Sequence, residues 1–132
     1  MVPSRAAPVA PISWGELIDK ITILEIKASK LEGAAALANV RKELTALAGI
    51  AGGHADAADL RKLKEELKSV NEALWEIEDL IREKESVQEF DEKFISLARS
   101  VYKQNDRRAA IKRQINILLA SELVEEKSYK TY

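Results

Sequence analysis

The sequence predicts an all-α fold, an antiparallel helical bundle of three or four helices built on a long helical hairpin, and three observations carry that prediction. Charged residues make up 33% of the chain and aromatics 5%, with Ala, Leu, Glu and Lys prominent, which is the composition of long helices rather than of sheets. Apolar residues hold a strict heptad from Leu60 to Ile81. Ser13 and Asp91 each stand where a helix N-cap is needed, just ahead of an apolar periodic run. A length of 132 residues with 46% hydrophobic content suits one domain with one core. The expected division is an N-terminal arm over 1–12, a helical bundle over 13–121 and a C-terminal tail over 122–132.

The arm is broken by Pro3, Pro8 and Pro11 before any apolar run develops, so it does not read as a secretion signal. The first helix opens at Ser13-Trp14-Gly15-Glu16, a capping box, with Ile12 and Leu17 spaced as a hydrophobic staple. Leu17, Ile21, Leu24, Ala28 and Leu31 then repeat at alternating four and three, which makes an inward stripe. Lys27 and Lys30 suit the negative end of the helix dipole, and Gly33 suits a stop.

Beyond Gly33 the apolar set shifts to Leu37, Val40, Leu44 and Leu47, out of phase with the first stripe, so a break is expected there. A kink instead of a break would leave three helices rather than four. Gly49 is the expected end of the second helix, with Ile50 folded back onto Leu44. The glycine-rich stretch from Gly49 to Ala57 reads as a flexible connection.

Asp56 is the expected cap of the third helix, whose seam is Leu60, Leu63, Leu67, Val70, Leu74, Ile77 and Ile81. Asp91, flanked by Phe90 and Ile95 as a staple, caps the fourth. That helix should run to about Ser121 and carry Phe94, Leu97, Val101, Ile111, Ile115 and Leu118 inward. The third and fourth helices, each about 29 residues or roughly 43 Å, are joined by a short link and so form an antiparallel hairpin. Residues 56–92 hold thirteen acids and six bases, and residues 93–113 hold seven bases and one acid, so the two rods are electrostatically complementary. The tail from Val124 to Tyr132 has no periodicity and reads as an exposed terminus, the alternatives being a segment folded back onto the bundle or a short recognition peptide.

Where the fourth heptad asks for apolar residues the chain offers Gln104 and Arg108. A buried Arg108 requires a carboxylate, for which Glu25 and Glu78 are the candidates, because an unpaired interior charge costs several kcal/mol. Thr22, Glu25, Asn71 and Glu78 are placed to meet it in one polar layer. Such a layer fixes register and partner choice in coiled coils. Read instead as a pocket, the candidate ligand-binding residues are Glu25, Asn71, Glu78, Arg82, Asn105 and Arg108. Glu78 and Arg82 are also spaced as an ordinary i, i+4 ion pair.

Several classes fall away. No cysteine is present, which removes disulfides, thiolate metal sites and thiol catalysis, and the cytoplasm is the default location. His54 is the one histidine, so ferritin-like dimetal motifs and a serine-histidine-aspartate triad have no basis. Gly49, Gly52 and Gly53 lack the strand and the Gly-Lys-Ser/Thr sequence of a phosphate-binding loop. No cofactor and no metal is implied. A net charge of -1, with the acidic third helix the nearer partner for the bases of the fourth, argues against nucleic acid. No apolar run approaches the length of a membrane span.

Four strings, Ser13-Trp14-Gly15-Glu16 continuing to Lys27, Asn71 to Asp79 with Arg82, Asn105-Asp106-Arg107-Arg108, and Glu125-Glu126-Lys127-Ser128-Tyr129, resemble a small bacterial all-helical family of unknown function. The resemblance covers nearly the whole chain. Members of that family, and of a second helical family with a similar Leu-Trp-x-x-Glu-Asp pattern, lie near glycosyltransferases for surface polysaccharide. The resemblance therefore implies a helical fold and a surface-glycan context, and carries over no catalytic residue. Helical chorismate mutases also set Arg, Lys and Glu inside a bundle, but their spacing of arginine and lysine is not matched here.

The reading that follows is a non-catalytic coiled-coil-like bundle that forms a homo-oligomer or binds a protein partner. Its alternative is a small helical-bundle enzyme or ligand-binding protein whose pocket is formed by Glu25, Asn71, Glu78, Asn105 and Arg108.

Overall fold

A computed structural model of the chain describes residues 2–132, without the side chains of Ala55 and Asp56. Four α-helices follow in order, α1 Trp14–Lys30, α2 Ala34–Ala51, α3 Ala58–Ser86 and α4 Glu92–Leu118, with a 3₁₀ turn at Gly52–Asp56 between α2 and α3. No strand occurs among the described residues. The break at Gly33 is therefore a true break: Leu31 caps α1, and Gly33 is the N-cap of α2.

Ser13 starts α1 as its spacing predicts, its Oγ accepting from the Glu16 N–H at 3.1 Å. Half of the capping box is absent, because the Glu16 carboxylate is drawn away to Lys112. Asp91 starts α4 in the same way, accepting from the Phe94 N–H at 3.0 Å. Its flanking contact runs from Phe90 to Phe94, edge to face at 5.2 Å, and leaves Ile95 exposed. Ala57 occupies the N-cap of α3 with no side-chain bond, so Asp56 lies one residue too early; the expected bond from its side chain lies outside the described residues.

Two helix ends fall elsewhere than expected. α2 continues past Gly49 to Ala51, and the left-handed residue is Gly52 at φ +52°, where a side chain is disfavoured. Ile50 then points away and is 64% exposed. α4 stops at Leu118, and Ala120 takes the left-handed position while the Ser121 N–H bonds the Asn116 carbonyl at 2.8 Å. That reversal leaves Leu118 half exposed, against expectation, and places Leu119 against the core in its stead.

The hairpin of α3 and α4 forms, but it is covered unevenly. α1 lies across its basal part, with α2 packed against the outer side of α1. Leu17, Ile18, Ile21, Leu60, Leu67, Val70, Ile111 and Ile115 make the core, to which Ala51 adds from the end of α2. Burial then stops: no buried residue of α3 lies beyond Asn71, and Leu97 is the one buried residue of α4 before Ile111. Leu74, Ile77 and Ile81 continue the seam toward the tip only half-buried.

The tail is exposed along its length, as expected, and it also takes the fold-back alternative. After the turn at Ala120 it runs back along α4, where Glu125 reaches Lys112, Glu126 reaches Arg113, and the Tyr132 hydroxyl donates to Asp106. The Tyr132 ring stands edge-on to Tyr102 at 5.1 Å. Side-chain pairs hold this segment without regular secondary structure, which is why no periodicity marks it.

Candidate functional site

The polar layer forms around a carboxylate that the heptad pattern does not single out. Asp19 and Thr22, three apart on α1, share a face that meets Asn71 of α3 and Arg108 of α4. The Asn71 amide donates to Asp19 Oδ1 at 3.0 Å and to Thr22 Oγ1 at 2.9 Å. Arg108 clasps Asp19 with two prongs, Nε to Oδ1 at 2.9 Å and Nη2 to Oδ2. Thr22 closes the set by donating to the Asp19 carbonyl at 2.8 Å. The Asp19 side chain is 1% exposed and that of Arg108 29%, so the pair lies at the edge of the interior.

Burial by itself pushes the Asp19 carboxyl up, but the bonds from Arg108 and Asn71, with the charges of Arg108 and Lys112, outweigh it and hold the group below the usual carboxylate range. The Asp19 carboxylate in turn raises Arg108 above its ordinary value. Asp19 is thus an anion near neutral pH, with both oxygens engaged.

A second cluster lies one turn toward the base. Burial disfavours the charged Lys112, yet Glu16 at 2.7 Å and Glu125 at 2.9 Å raise it above its ordinary value. Lys112 in return lowers Glu125. Gly15 lets α1 approach α4 here: its N–H donates to Asn116 Oδ1 at 2.7 Å, and a Cβ on it would stand 2.5 Å from the Lys112 carbonyl oxygen. The Trp14 N–H donates to Ser121 Oγ at 3.1 Å, so the first turn of α1 is held by groups from the C-terminal region.

Of the residues expected to form a pocket, the structure brings some together and separates others. Asn71, Glu78 and Arg108 line one groove of about 420 Å³ with Ile23, Leu74 and Trp75. Glu25 is turned to the side of α3, where it pairs with Lys64 at 3.1 Å and Lys68 at 3.5 Å. Neither Glu25 nor Glu78 is the partner of Arg108. Glu78 and Arg82 form the exposed i, i+4 pair at 2.9 Å. Asn105 faces the tail, in a wider groove of about 860 Å³ that includes Tyr102, Tyr129 and Tyr132.

The residues that sequence reasoning missed are Asp19, Glu16, Lys112, Asn116 and Glu125. Their signal was weak. Asp19 sits amid the apolar run of α1, and only a helix covered on two sides turns that position inward. Lys112 and Glu125 meet only because the tail reverses.

Chemically, the layer is saturated. Every buried side-chain nitrogen and oxygen among the described residues has a hydrogen-bond partner. No group of three or more His, Cys, Asp and Glu there is arranged to hold a metal ion, and no helix there is long and apolar enough to cross a membrane. The chain belongs to a family of unknown function, DUF6165, whose model matches residues 9–132. No curated protein and no solved structure matches it.

Proposed function

We propose that this member of the DUF6165 family is a non-catalytic helical interaction protein that self-associates or holds a protein partner through the distal part of its hairpin. The observation that carries the reading is the contrast between a saturated interior and an unsaturated tip. Asp19 is held as an anion with both oxygens bonded to Arg108 and Asn71, which supports a structural rather than an acid–base role. Leu80, Val87, Phe90 and Ile95, meanwhile, lie 40%, 63%, 57% and 55% exposed around the tip. Leu80 and Val87 line one groove there, and exposed apolar residues gathered on a small domain support an interaction surface. The resemblance to families near surface-polysaccharide glycosyltransferases supports an accessory role in a cytoplasmic step of bacterial surface-glycan synthesis.

Sedimentation of the purified chain, together with affinity capture, tests the reading. The expected result is a defined oligomer or a stoichiometric protein partner. A strict monomer that retains nothing overturns it.

One observation favours a second reading, ligand binding. The groove beside the part-exposed Arg108 is lined by Ile23, Leu74 and Trp75 together with Asn71 and Glu78. A thermal-shift screen against sugar nucleotides, sugar phosphates and anionic metabolites tests it. A ligand that stabilises the parent but not Arg108→Met supports this reading, and no shift with any of them removes it.

A further inference from the structure

The N-terminal arm takes no part in the bundle. Residues 2–12 are exposed along their whole length, form no helix, strand, turn or bend, and make no side-chain hydrogen bond or ion pair among the described residues. Val9 is 98% exposed. At Ser13 the extended chain ends in the cap of α1, whose first turn is held by Asn116 and Ser121, so the arm leaves the bundle at its base, the end opposite the apolar tip.

Local sterics set the shape of this arm. Proline fixes φ at Pro8 and Pro11, and the residue before a proline is held out of the helical region, which keeps Ala7 and Ala10 extended. Only Val9, of residues 7–11, escapes both restraints. Such a segment favours the polyproline II helix, whose backbone needs no internal hydrogen bond and whose three residues per turn rise about 3.1 Å each. Arg5, Pro8 and Pro11 then fall on one edge, about 9 Å apart, with Ala7 and Ala10 on the edge beside it. Two Ala-Pro pairs thus present the same shape one turn apart. Arg5, the only charged side chain of residues 2–12, stands one turn beyond them.

We infer that the arm is a recognition segment, which docks as a polyproline II helix in an aromatic-lined groove of a partner protein. The Ala7-Pro8 and Ala10-Pro11 pairs enter between the rings, and Arg5 meets a carboxylate at the end of the groove. Aromatic-lined grooves take this Pro-x-x-Pro spacing because the rod is already formed, so little ordering entropy is lost when it docks. A guanidinium on a carboxylate makes two parallel bonds, which fixes the direction in which the rod lies. No residue of the arm is buried in its own chain, so the whole rod is open to the partner. The site is independent of the tip and adds a second surface at the other end of the molecule.

The probe is a purified SH3 domain that takes Arg-x-x-Pro-x-x-Pro peptides, titrated into the full isotope-labelled chain and followed by the amide resonances. Saturable shifts confined to the arm are the expected result. Pro8→Ala with Pro11→Ala, and separately Arg5→Glu, are expected to weaken binding at least about tenfold, while circular dichroism and melting temperature stay at the parent's values because the arm is exposed. An arm whose amides do not shift, or whose shifts survive both variants, overturns the inference. Removal of residues 2–11 separates this surface from the tip: it is expected to abolish the titration and to leave the sedimentation of the chain unchanged. A chain that loses its oligomer with the arm would place the arm inside its own assembly and overturn the separate partner.

Discussion

The base and the tip of this hairpin are built from one heptad pattern and have opposite physical characters. At the base Leu60, Leu67 and Ile115 are 0% exposed, and the buried Asp19, Thr22 and Asn71 are bonded to one another and to Arg108 at their edge. At the tip the same seam continues through Ile77 and Ile81, yet neither is buried. The difference is α1. Its 17 residues reach roughly 25 Å, against roughly 43 Å for the 29 residues of α3, so it covers only part of the hairpin. A heptad therefore encodes a surface that can be buried, and the covering element decides whether it is.

The largest expected effect breaks the base at its charge. Arg108→Met leaves Asp19 1% exposed with Asn71 as its main remaining donor, and removing one member of a buried pair costs about 3 to 5 kcal/mol. Chemical denaturation measures it. A loss under about 1 kcal/mol would mean that Asp19 escapes to water and that the base is no more sealed than the tip.

Apolar truncation sharpens the comparison within one helix. Leu67→Ala, at a position of 0% exposure, is expected to cost about 2 to 5 kcal/mol. Ile77→Ala, ten residues on and half-buried, is expected to cost less than half as much, since its methyls already meet solvent. Equal losses in monomeric protein would show that the tip is covered after all.

Acid should erase the first difference. The Asp19 carboxyl is held below its ordinary value of 3.8 in the fold, so its contribution is fully present above that pH and is lost as pH falls through the folded value. In Arg108→Met the main lowering influence is gone and burial raises the group, so that variant gains relative stability as the carboxyl protonates. The gap between parent and variant should be widest near neutrality and narrow below about pH 4, as read by melting temperature across pH. A constant gap would place the cost of the substitution in packing rather than charge.

How much of this was legible in the sequence follows from the distance over which each feature is encoded. The caps at Ser13 and Asp91 and the seam from Leu60 to Ile81 are local, and each lies where its spacing places it. Arg108 stood out because a charge interrupts a heptad. Its partner did not, because Asp19 is 89 residues away and belongs to a helix buried on two sides, against the hairpin and against α2. That double cover buries Ile18, Asp19, Thr22 and Ile26 together and blurs the single stripe that periodicity looks for. The fold-back of the tail was legible only as an alternative, because Glu125 and Tyr132 are held by lone side-chain bonds that leave no repeat. The groove joining Asn71, Glu78 and Arg108 was half legible, since Glu25 and Asn105 share its helices but face other flanks.

The smallest expected effect on stability concerns the tip. Phe90→Ser removes a ring that is 57% exposed and touches Phe94 edge-on, in the link between α3 and α4. A surface change of this kind stays within about 0.5 kcal/mol for the isolated chain. Its effect on association should be far larger, because an exposed aromatic contributes most when a partner desolvates it. Denaturation at low concentration reads the first effect, and sedimentation across concentrations reads the second. A residue that matters to the fold would lose stability at every concentration. One that matters to assembly loses it only where the parent is associated, because a ligand or partner that binds the folded state stabilises it by mass action. The concentration dependence of the Phe90→Ser difference therefore separates an apolar tip that is merely tolerated from one that a partner covers.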